Sequence, residues 1–176
     1  MDVVLRGARE DDLPAIRDIY ALEVLEGTAS FELEPPDAAE MGRRFASVAA
    51  LGLPWLAAGI DGRLAGYAFA GSYRPRPAYR WSVENSVYVA RWARCRQVGR
   101  LLLERLVADC EAAGARQMVA VIGDSANLSS VRLHERCGFR HVGTLRHVGY
   151  KHGRWLDTVL MQRALGPGAA SPPRPG

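Results

Sequence analysis

No apolar run in the chain approaches the roughly 18 residues that span a bilayer, so a membrane protein is not expected. Cysteine is scarce. Cys95, Cys110 and Cys137 form no CxxC spacing, which argues against a disulfide framework or a zinc site and leaves buried or incidental thiols. The start, MDVVLRGARED, has neither a basic n-region nor an apolar h-region. No signal peptide is read there, and a cytoplasmic location is expected. There is no internal repeat, and the arginines are not interleaved with stacking aromatics, so no nucleic-acid surface is expected. What remains is 176 residues, 48% hydrophobic and 24% charged. That is the make-up of one soluble domain with a real core. The net charge of +4 comes with arginines concentrated between Arg74 and Arg105, a local field that suits a small anionic ligand.

Along the chain, Asp2 to Arg9 reads as a strand. Glu10 to Asp12 followed by Leu13-Pro14 opens a helix, with Leu13, Ile16, Ile19 and Tyr20 at helical spacing. Gly27 to Ser30 breaks it, and Pro36-Asp37 opens a second helix carrying Met41, Phe45 and Val48. Asp61-Gly62 between two apolar runs is a hairpin signal, pairing Trp55 to Ile60 with Arg63 to Ser72. The prolines of Tyr73 to Arg80 exclude a central strand, leaving a basic, aromatic loop. Met118 to Ile122 reads as a strand buried on both faces. A helix from Asn127 to Cys137 has Leu128, Val131 and Leu133 as core candidates. Two last strands cover Phe139 to Val148 and Trp155 to Leu165. Residues 166–176 have the composition of a disordered tail, so the domain is drawn at residues 1–165.

The chain is organised around Ser82 to Glu104. An alternating β-branched run, Val83 to Val89, passes through a turn dense in arginine into an apolar helix holding Val98, Leu101, Leu102 and Leu106. Backbone N–H groups at such a helix start face an anion, the helix dipole adds to them, and arginines supply bidentate donors. An ordinary strand–loop–helix with a solvated turn has the same appearance, so this stretch alone does not decide.

The order ENSVYV, basic loop, helix, VAVI, then Asn127-x-x-Ser130-x-x-Leu133-His134-x-x-x-Gly138-Phe139 resembles the GNAT N-acetyltransferases. The resemblance is to the branch that includes the phosphinothricin and methionine sulfoximine acetyltransferases. Thr28, Ser30 to Glu32, the loop YRPRPAYRWSVENSVYV and the ending VGYKHGRWLDTVLMQ agree with it. The resemblance covers Leu5 to Leu165 and implies an α/β (α+β) fold. Its sheet is seven-stranded and mostly antiparallel, with two splayed central parallel strands and flanking helices.

The resemblance also implies acetyl-CoA as co-substrate, with no metal, and direct transfer to the amine of a small glutamate-like amino acid. Phosphinothricin, methionine sulfoximine or sulfone, and arsinothricin are the expected types. Glu84 is the implied general base, and the backbone N–H of Val89 the donor to the thioester oxygen. His134 is implied as proton donor or hydrogen-bond partner of the coenzyme; a satisfied structural histidine is the alternative. Val87, Tyr88, Val89, Arg94, Cys95, Arg96, Gln97, Val98, Gly99, Arg100, Asn127 and His134 would contact the coenzyme, with Asn127 also an N-cap. Phe31, Glu32, Tyr73, Arg74, Arg80 and Glu84 would contact the amino acid. Asn85 faces the other way and is given no role. A homodimer is implied. Gln97 departs from the family, standing where the pyrophosphate loop carries its first glycine. It is expected to take a backbone conformation open to any residue, with its side chain in solvent. Two rival functions remain: acetylation of another amine, such as a protein N-terminus or a polyamine, and a weak acyl-CoA-binding module. Arg74 and Arg80 argue against a polycationic acceptor, and Gln97 favours the module.

Overall fold

The structure is a computed structural model describing residues 2–173. Seven strands form one sheet in the order β1-β2-β3-β4-β5-β7-β6. They are β1 (Val4–Gly7), β2 (Trp55–Ile60), β3 (Arg63–Ser72), β4 (Ser82–Val89), β5 (Gln117–Gly123), β6 (Arg140–Lys151) and β7 (Arg154–Ala164). Four helices flank it: α1 (Leu13–Glu26), α2 (Ala38–Ala50), α3 (Val98–Ala112) and α4 (Leu128–Arg136). Every strand pair is antiparallel except β4 with β5. Among the described residues no helix is long and apolar enough to cross a membrane.

Strand alternation divides the core into two layers. Tyr67 and Phe69 of β3 point to α1 and α2, joining Ile16, Tyr20, Val24, Met41 and Trp55. Ala68 and Ala70 point to α3, where Val98, Leu102, Leu103, Leu106, Val107 and Cys110 are buried. Burial of each of the large side chains contributes about 1.5–3 kcal/mol, so α3 is the main clamp on the sheet. Asp37 caps α2, its carboxylate accepting from the Glu40 N–H at 2.7 Å. The Asp61-Gly62 hairpin lies where its turn chemistry places it.

Some boundaries differ from the sequence reading. The first strand is confined to Val4–Gly7, because Asp12 takes the Arg6 side chain at 2.6 Å and the Arg9 N–H at 2.8 Å and turns the chain early. Strand β6 runs on to Lys151, with His152-Gly153 as the turn. Leu128 is not a core residue; it starts α4 on the outer side and is 54% exposed, whereas His134 is the buried residue of that helix. Residues 166–171 form turns against Arg116, whose guanidinium donates to the Gly168 carbonyl at 2.9 Å and to the Ser171 carbonyl at 2.5 Å. The end of the tail, residues 174–176, lies outside the described residues.

Candidate active site

The two parallel strands part company halfway. Pairing joins Ser82 to Asn85 with Gln117 to Ala120 and stops there, though β4 continues to Val89 and β5 to Gly123. Backbone direction follows from the register. The Tyr73 N–H donates to Ser82 O and the Ala90 N–H to Ala65 O. In an antiparallel ladder these bonded pairs alternate. Ser82, Glu84, Ser86 and Tyr88 therefore spend their backbone groups on β3, while the N–H and C=O of Val87 and Val89 face the gap. On β5 the Asp124 N–H bonds Asp157 O, so by the same alternation Val121 and Gly123 face the gap from the other side. Two strand edges thus look at each other with no strand of the described residues between them.

A cavity of about 420 Å³ occupies this split. On the α1/α2 side it is lined by Tyr20, Ser30, Phe31, Glu32, Glu84 and Tyr88; on the α3/α4 side by Asn85, Asn127, Ser130 and His134. Since Glu84 and Asn85 are adjacent in a strand, they project to opposite faces, and the cavity passes through the sheet. Glu84 is half-buried. Burial raises its carboxyl above the ordinary carboxylate range, and the Arg74 charge works against that rise.

His134 is 4% exposed. Its Nδ1 lies 2.8 Å from the Ser130 carbonyl and its Nε2 3.0 Å from Asn85 Oδ1, and the ring stands edge-on to Phe139. Burial pushes the imidazole below its ordinary value, and the Ser130 carbonyl pulls it back. Asn127 is the N-cap of α4, accepting from the Ser130 N–H at 3.3 Å, and it also lines the cavity. Asn85, given no role by sequence, does face the other way, but it is 6% exposed and bonded to both Val119 and His134.

The segment between α1 and α2 carries Phe31 and Glu32. It has no regular structure, yet distant side chains hold it. His152 Nε2 donates to Gly27 O at 3.1 Å, Thr28 Oγ1 to Asp124 at 3.0 Å, and Lys151 Nζ to Ser30 O at 2.7 Å. Arg154 in turn holds Asp124 at 2.5 Å. Phe31 lies over two glycines: a Cβ built on Gly149 would come within 2.3 Å of its ring, and one on Gly123 within 2.4 Å of Thr28 O. Glu32 is fixed by Arg44 at 2.8 Å, and Tyr20 bonds Ser30 Oγ at 2.8 Å. Lys151, the sole lysine of the sequence, is 4% exposed; burial lowers its pKa, and Glu23 and Glu32 oppose the shift.

The loop between β4 and α3 is built differently. Arg91 pairs with Glu26 at 2.7 Å and Arg94 with Glu23 at 2.6 Å, so both lean on the end of α1; Arg100 pairs with Glu104 at 2.7 Å along α3. Cys95 and Gln97 have φ of 61° and 63°. This corrects the expectation for Gln97. It occupies the left-handed region that a family glycine would enter freely, because the chain must turn there to start α3 at the buried Val98. Gly99 serves packing: a Cβ there would meet Leu133 at 3.3 Å and Val89 at 3.4 Å. Cys95 and Arg96 line, with Gln97, a separate hollow beside Val3 and Ile60.

Tyr73, Arg74 and Arg80 lie outside the cavity of the single chain. Tyr73 and Tyr79 meet edge to face, Arg74 folds over Tyr73 at 4.5 Å, and Arg80 over Trp81 at 5.2 Å. Of the three, Arg74 acts on Glu84. Among the described residues no group of three His, Cys, Asp or Glu is placed to hold a metal. Sequence reasoning missed Asn85, Asp124, Lys151 and Arg154. The one available signal was that a chain so rich in arginine keeps a single lysine.

The acetyltransferase (GNAT) domain family matches residues 5–160. The chain is 54% identical over 169 residues to the phosphinothricin N-acetyltransferase of Alcaligenes faecalis, covering 96% of this chain and 86% of that protein. It is 39% identical over 173 residues to the L-methionine sulfoximine/L-methionine sulfone acetyltransferase of Pseudomonas aeruginosa, covering 98% and 100%. A solved structure of a phosphinothricin acetyltransferase from Sinorhizobium meliloti in complex with AcCoA aligns with a TM-score of 0.97 at 45% identity, covering 100% of this chain and 95% of that one. The chain belongs to the GNAT acetyltransferase family, and its seven-stranded sheet with one splayed parallel pair is the expected fold.

Proposed function

We propose that the protein transfers an acetyl group from acetyl-CoA to the amine of a small glutamate-like amino acid of the phosphinothricin or methionine sulfoximine type. The observation that carries this is the cavity through the sheet, with a half-buried carboxylate on one side and two open strand edges on the other. The edges fit the coenzyme, because pantetheine is a chain of amides that binds as an added strand would. The helix start at Val98 and the arginines before it suit the pyrophosphate. There Arg94 exchanges Glu23 for phosphate.

Each side then has its own work. Glu84, its affinity for a proton raised by burial, takes one from the substrate ammonium through water. The amine nitrogen attacks the thioester carbon, and the Val89 N–H donates to the carbonyl oxygen as charge builds there. The C–S bond breaks and the sulfur leaves with the electron pair; the nitrogen, now bonded to the acetyl carbon, gives up its second proton to water, and a proton delivered from the His134 side gives the thiol. Glu32 and Glu84 suit the ammonium end of the substrate. Among the described residues the cavity lining holds no arginine or lysine, so the carboxylate is met by Arg74 or by a second copy. The exposed apolar side chains of the β6–β7 hairpin, Val142, Leu145, Val148, Tyr150 and Trp155, support a homodimer across that edge, beside the segment that carries Phe31. The cytoplasm, where acetyl-CoA is available, is the proposed location.

The test is thiol release from acetyl-CoA by purified protein with phosphinothricin, methionine sulfoximine, methionine sulfone, an alanine-terminated peptide and spermidine. Turnover is expected with the amino acids. Release with the peptide or polyamine alone overturns the substrate class, and none with any amine overturns the activity. Glu84→Gln should lower kcat by about 10²- to 10⁴-fold with little change in the KM for acetyl-CoA.

A further inference from the structure

The β4–β5 pairing ends at Asn85, and the side chain of that same residue occupies the point of the split. Its Nδ2 lies 3.3 Å from the Val119 carbonyl on β5, and its Oδ1 3.0 Å from His134 Nε2 on α4. We propose that Asn85 is a positioning residue: one side-chain amide closes the end of the β4–β5 pairing and settles which nitrogens of His134 carry protons.

The argument is a count of donors and acceptors. The Ser130 carbonyl, 2.8 Å from Nδ1, can only accept and is much nearer than the Ser130 hydroxyl at 3.5 Å, which is at the limit of a hydrogen bond, so Nδ1 carries a proton. A neutral ring then has a bare Nε2. With Oδ1 turned to the ring and Nδ2 to Val119, a bare Nε2 would face an acceptor, so this arrangement requires a second proton. With the amide turned over, Nδ2 donates to Nε2, but Oδ1 then faces the Val119 carbonyl, acceptor against acceptor. Proton and amide are therefore linked. The ring gains its second proton when Asn85 bonds β5, and losing that proton loses the bond. Burial opposes the charge, and the two acceptors favour it.

Among the described residues no neighbouring charge settles the balance. Glu84 on β4 faces the other side of the sheet. Arg132, Glu135 and Arg136 on α4 are exposed, the Arg100–Glu104 pair on α3 is engaged with itself, and Arg163 on β7 bonds the Cys137 carbonyl. The β5 residues beside the ring, Ala120 and Ile122, are apolar. With its oxygen toward the ring, the amide would hold that second proton at the floor of the split, on the side where the leaving sulfur would sit. That catalytic meaning rests on the proposed function; the linkage itself does not.

The experiment is a histidine NMR titration of the protein without acetyl-CoA, so its result is independent of turnover. His134→Gln assigns His134 among the four histidines. Asn85→Asp puts a carboxylate beside Nε2 and should raise the His134 pKa by about one to three pH units. Asn85→Leu removes the acceptor and should leave the ring with a proton on Nδ1 alone from pH 5 to 8. Should the leucine variant fail to fold, the near-isosteric aspartate variant decides. Equal His134 pKa and ring ¹⁵N shifts in wild type and Asn85→Asp would overturn the proposal.

Discussion

Two loops flank the split sheet, one lining its cavity and one following the open end of β4, and they are stabilised in opposite ways. The segment before α2, which carries Phe31 and Glu32, has no regular structure but is held by residues as far as 96, 121 and 125 positions away. The loop before α3 has a helix to lead into, yet it carries two non-glycine residues at positive φ and leans on α1 through exposed ion pairs. Anchors of the first kind are directional hydrogen bonds that run from the buried Lys151 through the part-buried Thr28–Asp124 pair to the exposed His152, so the segment is preorganised. Anchors of the second kind are exposed, worth little each, and open to exchange for a phosphate. In the proposed reading, the acceptor side is preorganised and the coenzyme side is exchangeable.

Of changes that separate the two loops, the largest effect should come from disturbing the one that carries Phe31. Gly149→Ala puts a methyl where the Phe31 ring lies. Displacement on the order of 1 Å at a positioned group costs up to about 10²-fold. The KM for the amino acid should therefore rise by about 10- to 100-fold while that for acetyl-CoA stays put. Equal changes in both constants would break the separation of the two sides.

A smaller effect is expected at Asp124, which ties Thr28 to Arg154. Burial works to raise its pKa, but the Ala126 N–H, Arg154 and Thr28 outweigh it, and the carboxyl ends below its ordinary value. A folded pKa below the unfolded one means stability that is present above about pH 3.8 and lost as pH falls through the lower folded value. Asp124→Asn removes the charge and should cost about 1–3 kcal/mol near neutrality. The loss should shrink toward zero below pH 4 when the two denaturation curves are compared.

The smallest effect is expected in the strained loop. Left-handed backbone costs a non-glycine residue about 1–2 kcal/mol. Gln97→Gly should raise the melting temperature by about 2–4 °C. The strain is present before any ligand arrives, so calorimetric affinity for acetyl-CoA should change by less than tenfold. A larger gain would mean that Gln97 also misshapes the phosphate cradle.

Some of these features were legible in the chain and some were not. Asp61-Gly62 marked its hairpin because that turn chemistry is local. Asp37 marked its cap, and Glu84 stood out as a lone carboxylate in an apolar, β-branched strand. Gly99 was legible as a glycine but not for its reason, since Leu133 reaches it only in the folded protein. At Gln97 the only sign was the glycine of the family at that place, because closure between β4 and the buried Val98, not any local rule, dictates its left-handed backbone.

The sequence by itself determined the elements, their order and the two faces of β4, since propensity, capping and a period of two operate over a few residues. The tertiary structure alone decided where β4 and β5 separate, which side of the split meets His134, and what holds Phe31. Those depend on contacts such as Asn85 with His134 and Lys151 with Ser30, between residues 49 and 121 positions apart. No local rule links such positions; packing of the whole sheet brings them together.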